Sequence, residues 1–170
     1  MNKLSTASIL TGIVLLLIQI FLLKNVQLAL WDKYVVMIFV YPLALLLLPI
    51  GLPRSALITM AFIMGMVIDI FYDSLGIHTA SFVFTAFMRS FVLRLLEPRG
   101  GYRIDYTPEL RIYGPGWFLS FVGIMMFLHC FVFFSIDAFT FVYFDKILVN
   151  SIFTFFVSYI VVILYKVVFR

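Results

Sequence analysis

Gly65-Met66-Val67-Ile68-Asp69-Ile70-Phe71-Tyr72-Asp73 closes an apolar run that begins near Ser55, and its reading decides how the rest of the chain is understood. A run of that length suits a helix crossing a bilayer, which takes about 20 residues. The two carboxylates, four residues apart, then share one helical face. An acid at the centre of a lipid-facing helix costs about 2.5 to 3.5 kcal/mol, so Asp69 and Asp73 are expected near a helix end, facing other helices or a polar cavity.

Working outward from this stretch, 65% of the 170 residues are hydrophobic, 21 are Phe and only 12% are charged. With a mean hydropathy of +1.17, the chain has too little polar surface to cover a soluble globule. An all-α integral membrane protein is expected, one transmembrane domain over residues 1–170. Hydropathy outlines six spans, over about 8–29, 34–50, 55–73, 79–96, 116–136 and 147–169. All six are expected to be helices, because backbone in lipid must satisfy its own hydrogen bonds. The runs are too long and too continuously apolar for alternating barrel strands. Lys3 followed by apolar residues has the shape of a signal peptide, but a cut after Ala29 would put Gln27 where a small residue is wanted. The first segment therefore reads as an uncleaved span.

The net charge of +4 does not point to nucleic acid, because the basic residues sit near the ends of the spans. Lys3, Arg54, Arg94, Arg99, Arg103, Arg111, Lys166 and Arg170 fall on one side, and Lys24, Lys33 and Lys146 on the other. The positive-inside rule places both termini and the 97–115 loop in the cytoplasm, and the Asp69/Asp73 corner outside. Within that loop, Tyr102-Arg103-Ile104-Asp105-Tyr106 and Leu110-Arg111-Ile112-Tyr113 flank Thr107-Pro108-Glu109, which suggests a small hairpin against the lipid headgroups.

Three stripes repeat every four residues: Ala61/Gly65/Asp69/Asp73, Ser81/Thr85/Arg89 and Asn150/Thr154/Ser158. Such stripes mark helix contacts made by close approach and interhelical hydrogen bonds, or the lining of a ligand cavity. Arg89 needs a partner; in a hairpin about Gly76 it lies about 9 Å deeper than Asp69, near the limit of an ion pair. His129, mid-span, is a proton carrier or a buried hydrogen-bond donor, and Cys130 an inert core thiol that excludes a disulfide within the chain.

No catalytic constellation is evident. Gly65-x3-Asp69-x3-Asp73 has the spacing of half a CDP-alcohol phosphotransferase motif, but the positions upstream hold Gly51, Leu52, Ser55 and Ala56, and two carboxylates do not make a two-metal clamp. Asp69, Asp73 and His78 form no specific metal signature. No cofactor or metal is expected.

Several of these residues together are similar to the rod shape-determining MreD family: Pro49-Ile50-Gly51-Leu52-Pro53-Arg54, Gly65-x3-Asp69, Asp73, Leu75-Gly76-Ile77-His78 and Ala86-Phe87-Met88-Arg89. Arg94-Leu95-Leu96 and Gly101-Tyr102 continue the likeness. The resemblance implies a multi-pass protein of the bacterial inner membrane that acts as a noncatalytic scaffold in cell elongation. Its implied partners are MreC directly, then MreB, RodA and the elongation transpeptidase that build lateral-wall peptidoglycan, with membrane lipid around it. The implied fold looks like the substrate-binding subunits of energy-coupling-factor transporters, which keeps a transporter subunit as the alternative function. Carried over onto this chain, the functional corner is Gly65, Asp69, Asp73, Gly76, His78 and Arg89, a partner-binding or structural site.

Overall fold

The computed structural model describes residues 6–30, 33–103 and 106–168; Lys3, Ile104, Asp105 and Arg170, used above, lie outside them. The chain is mostly helical. Helix α1 (Thr6–Leu17) widens into a π-helical turn (Ile18–Leu23), followed by strands β1 (Gln27–Leu30) and β2 (Tyr34–Met37) and the short helix α2 (Pro42–Leu46). Long helices α3 (Arg54–Tyr72) and α4 (Ile77–Leu95) come next, then a one-turn helix α5 (Leu110–Tyr113) and helices α6 (Pro115–Ala138) and α7 (Phe144–Val168). Among the described residues three helices, α3, α6 and α7, are long and apolar enough to cross a membrane. The protein is accordingly read as a membrane protein.

Proline and left-handed residues punctuate the helices. Pro53 in extended conformation precedes α3, and Pro115 opens α6 at a position where its missing N–H costs nothing. Asp73 ends α3 at φ 53° and Gly76 starts α4 at φ 87°. Asp tolerates the left-handed region better than most residues, and Gly enters it without penalty. The reversal is therefore tight, and α3 packs along α4, α4 along α6, and α6 along α7.

The expectation of an all-α fold with a continuous helix over 34–50 is corrected. Residues 34–37 form a strand paired antiparallel to β1, with Gln27 opposite Met37 and Leu30 opposite Tyr34, and only Pro42–Leu46 is helical. The first span likewise stops being helical at Leu23. Tyr34-Val35-Val36-Met37-Ile38-Phe39-Val40-Tyr41 is rich in β-branched and aromatic residues and ends against Pro42, a composition that favours extended backbone. An apolar run of this kind is not separable from a helix by periodicity alone. The loop hairpin is corrected too, since its second arm, Leu110–Tyr113, is a turn of helix.

Extended backbone inside an apolar molecule exposes a row of unpaired amides, and side chains of neighbouring helices satisfy them. On the side away from β1, Val35 N–H donates to Asn150 Oδ1 (3.2 Å), Met37 N–H to Thr154 Oγ1 (3.1 Å) and Phe39 N–H to Ser158 Oγ (2.8 Å). Alternate residues of a strand advance about 6.6 Å, and every fourth residue of a helix about 6 Å, so the two rows stay in step for three bonds. Beyond the end of β1, Gln19 stands in for a strand. Its Oε1 accepts from Val40 N–H (2.9 Å) and its Nε2 donates to the Ile38 carbonyl (3.0 Å). The Asn150/Thr154/Ser158 stripe is thus a docking rail for β2.

Around this segment lies the core: Phe39, Tyr41 and Leu43 to Leu48 pack against Leu57, Ala61, Phe82 and Ala86 from α3 and α4, and against Phe118, Phe121, Met125 and Phe133 from α6.

Candidate functional site: the carboxylate corner and its groove

Gly76 begins α4 but has no side chain to cap it. The first turn of a helix leaves its N–H groups without partners, and here Asp69, reaching across from α3, takes them. Its Oδ1 accepts from His78 N–H (3.0 Å) and its Oδ2 from Thr79 N–H (2.9 Å). The Ser74 hydroxyl donates to Oδ1 (2.5 Å), and the Thr79 hydroxyl donates to Oδ2. The carboxylate is buried, and it meets the positive end of the α4 dipole.

Close approach of the two helices makes this reach possible. A Cβ at Gly65, one turn before Asp69, would lie 2.6 Å from Thr79 Cα and 3.2 Å from Thr79 N. Only glycine fits there. Asp73, in contrast, is exposed and serves as the left-handed C-terminal residue of α3, its N–H bonded to the Asp69 carbonyl.

His78 completes the corner. Its Nδ1 lies 2.8 Å from Ser74 Oγ and 3.1 Å from Asp69 Oδ1. Because the Ser74 hydroxyl proton points to Asp69, Nδ1 carries the proton that the two oxygens share. A serine–histidine–carboxylate relay needs the serine and the acid on opposite ring nitrogens; here both occupy the same one, so the trio does not activate Ser74. The other nitrogen, Nε2, is buried and has no hydrogen-bond partner among the described residues. Rings of Tyr72 (4.7 Å between centroids), Phe133 (4.9 Å), Tyr41 (5.9 Å) and Phe39 (6.3 Å) surround the imidazole.

Arg89 does not belong to this corner, and the ion pair with Asp69 is not formed. The Arg89 guanidinium is buried and donates through Nη2 to the Leu48 carbonyl and, at 3.5 Å, to that of Leu46. Three turns of α4 separate Arg89 from His78, and the end of α2 presents free carbonyls beside it. The arginine follows the nearest negative partial charge, the C-terminal end of a helix.

A second polar centre lies between these two charges. His129 Nε2 is 2.7 Å from the Tyr41 hydroxyl and Nδ1 is 2.9 Å from Thr85 Oγ1, which itself donates to the Ser81 carbonyl (2.7 Å). With the Thr85 proton so committed, His129 donates from Nδ1 and accepts the Tyr41 proton at Nε2. Both nitrogens are satisfied, which makes His129 a buried hydrogen-bond donor. Cys130 is a free, buried thiol beside it.

The corner opens onto an open groove of about 860 Å³ along α3 and α4. Asp69, Asp73 and Ser74 lie at one end, and Phe62, Met66 and Val83 line its length. Across the molecule a smaller cleft of about 300 Å³ lies between the β-hairpin and α6/α7, lined by Gln27, Lys33, Asp137, Lys146 and Asn150 among others. At its rim Lys33 forms an exposed ion pair with Asp145 (3.3 Å). Hydrogen bonds to Tyr34 and Asp145 raise the pKa of the Lys33 ammonium above its ordinary value.

The sequence reading missed Gln19, Ser74, Thr79, Tyr41 and Tyr72. Gln19 was visible as the one amide in an apolar run, the kind of residue that in a membrane needs a named partner. Its partners, Ile38, Val40 and the Tyr72 hydroxyl (2.8 Å), belong to other elements. Among the described residues no three of His, Cys, Asp and Glu gather as a metal site; the Asp69 oxygens are already filled by four donor groups of the chain itself and by the imidazole. No family model, curated protein or solved structure matches this chain.

Proposed function

We propose that the protein is a noncatalytic scaffold of the bacterial cell-elongation machinery, a six-span protein of the inner membrane with both termini in the cytoplasm. The observation that carries this reading is the open, mainly apolar α3–α4 groove beside the carboxylate corner, on residues that resemble the MreD family. The Asp69 carboxylate and the Ser74 and Thr79 hydroxyls are spent on holding α3 and α4 together, while Ile70 and Leu75 at the groove remain exposed. That division suits a surface that receives another helix better than it suits a reaction centre. In this reading the groove takes the spanning helix of MreC, and the complex with MreB, RodA and the elongation transpeptidase forms around it.

Length supports six crossings. Residues 6–23 rise about 27 Å and α4 about 29 Å at helical pitch. Residues 34–40 in extended form and α2 together reach about 30 Å, matching the hydrocarbon thickness. The polar side chains of α4, Ser81, Thr85 and Arg89, are buried in the protein, where membrane helices keep such groups.

The test is affinity purification of the tagged protein from native membranes in mild detergent, with partners identified by mass spectrometry. MreC and wall-synthesis enzymes are expected, and Ala80→Trp, which fills the groove from the exposed face of α4, is expected to lose MreC while the thermal midpoint holds. Recovery of MreC at wild-type level with Ala80→Trp would overturn the groove assignment. A second reading, the substrate-binding subunit of an energy-coupling-factor-type transporter, is favoured by the mixed-charge cleft of Lys33, Asp137 and Lys146, which opens on the proposed outer side. Recovery of an energy-coupling ATPase module would replace the scaffold by that reading.

A further inference from the structure

The connection between α4 and α6 is docked against the helix ends. Tyr102 donates its hydroxyl to the Leu93 carbonyl (2.8 Å), Trp117 Nε1 donates to the Leu96 carbonyl (2.7 Å), and Ile50 N–H donates to the Tyr106 carbonyl (3.1 Å). Successive long helices alternate in direction, so the start of α3, the end of α4, the start of α6 and the end of α7 lie on this same face. The connection therefore sits where the spans leave the bilayer.

On that face a cleft of about 720 Å³ opens between Arg99 and Arg103. Gly100 and Gly101 form the wall between them at φ 115° and 76°, conformations that side chains rarely adopt, and nothing lies within 4 Å of where a Gly100 Cβ would stand. Arg103 stacks on the Tyr106 ring (4.9 Å) and donates Nη1 to its hydroxyl (3.1 Å). That contact orients the guanidinium and leaves most of its five N–H donors available. Among the described residues Lys33–Asp145 is the one pair of a Lys or Arg with a carboxylate in salt-bridge range, so neither Arg99 nor Arg103 is matched to a described carboxylate. The nearby Glu97 carboxylate lies behind Gly101, 3.7 Å from where its Cβ would be, and does not line the cleft.

We propose that this cleft binds the phosphate headgroup of an anionic glycerophospholipid between Arg99 and Arg103, with the lipid's glycerol and upper acyl chains over Ile112. Two guanidinium groups facing one cavity, neither of them paired with a carboxylate among the described residues, suit a phosphodiester, whose oxygens accept their N–H groups in pairs. The apolar part of the lining favours the lipid over a soluble anion: Ile112, in the cleft wall, is 39% exposed. The inference needs only that the helices span a membrane and stands apart from the scaffold reading.

Native mass spectrometry of the full chain in mild detergent tests it, with phosphatidylglycerol and phosphatidylcholine of matched acyl chains as probes. Phosphatidylglycerol is expected to be retained in preference, and each arginine replaced by Gln to weaken its retention about fivefold. Arg99 is exposed, and among the described residues its side chain makes no hydrogen bond or ion pair, so Arg99→Gln alone remains a clean probe if the double variant Arg99→Gln/Arg103→Gln fails to fold. The control Lys33→Gln/Lys146→Gln removes cations from the opposite end and is expected to keep the preference. Equal retention of both lipids, or a preference that survives Arg99→Gln unchanged, would overturn the proposal. Displacement of phosphatidylglycerol by millimolar inorganic phosphate would overturn the lipid assignment in favour of a soluble anion.

Discussion

Asp69 and Arg89 are both buried in apolar surroundings, and the chain neutralises them at opposite ends of different helices. The aspartate caps the start of α4 with donors that lie within ten residues of it. The arginine caps the end of α2, more than forty residues away in sequence. The pairing that charge alone suggests, one with the other, is not made. Each finds a helix terminus first, because those partial charges lie within direct hydrogen-bond reach and have lost their own backbone partners.

The largest way to break this comparison is Asp69→Ala. It strands His78 N–H, Thr79 N–H and two hydroxyls, and is expected to cost about 2 to 4 kcal/mol, read as the shift in an unfolding titration in mixed micelles. Gly65→Ala tests the same corner from its packing. Its methyl group would meet the Thr79 backbone, and a loss of about 1 to 3 kcal/mol is expected by the same titration.

At the other charge, Arg89→Met is expected to cost about 1 to 3 kcal/mol, with faster amide exchange confined to residues around 47–53. The charge swap Asp69→Arg/Arg89→Asp sharpens the comparison. With each residue serving a helix end, the swap is expected to be worse than either single neutralisation, and restored stability would mean that the two charges couple directly. A smaller effect is expected for Ser158→Ala, which removes the acceptor of Phe39 N–H and is expected to cost about 1 kcal/mol. Smallest of all is Lys33→Ala: the pair with Asp145 is open to solvent, and no measurable change in the unfolding midpoint is expected.

The corner was partly legible before any coordinates. The four-residue spacing of Gly65, Asp69 and Asp73 put them on one face, and Gly76 marked the reversal. What the acids do there was not legible, because a capping bond depends on where the next helix starts in space. The three stripes show the same limit. Ala61, Gly65 and Asp69 do make a close helix contact, but Asn150, Thr154 and Ser158 hold the edge of a strand. A polar residue every fourth position announces that something will be hydrogen-bonded, and says nothing about whether a helix or a strand supplies the donors. The region over 34–50 was misread for a related reason: residues that are all apolar carry no period, so length and β-branching had to decide, and length misled.

By itself, the sequence determined that this is a membrane protein, where its polar residues cluster, and where the chain turns. Those features follow from hydropathy, helical spacing and the conformational demands of proline and glycine, all of which act over a few residues. Only the tertiary structure decided that an extended segment runs through the helices, that Gln19 and the α7 stripe satisfy it, and that Asp69 and Arg89 serve different helix ends. Each of these joins a backbone group to a side chain from another element, and the free energy of such a bond exists only once the two have been brought together.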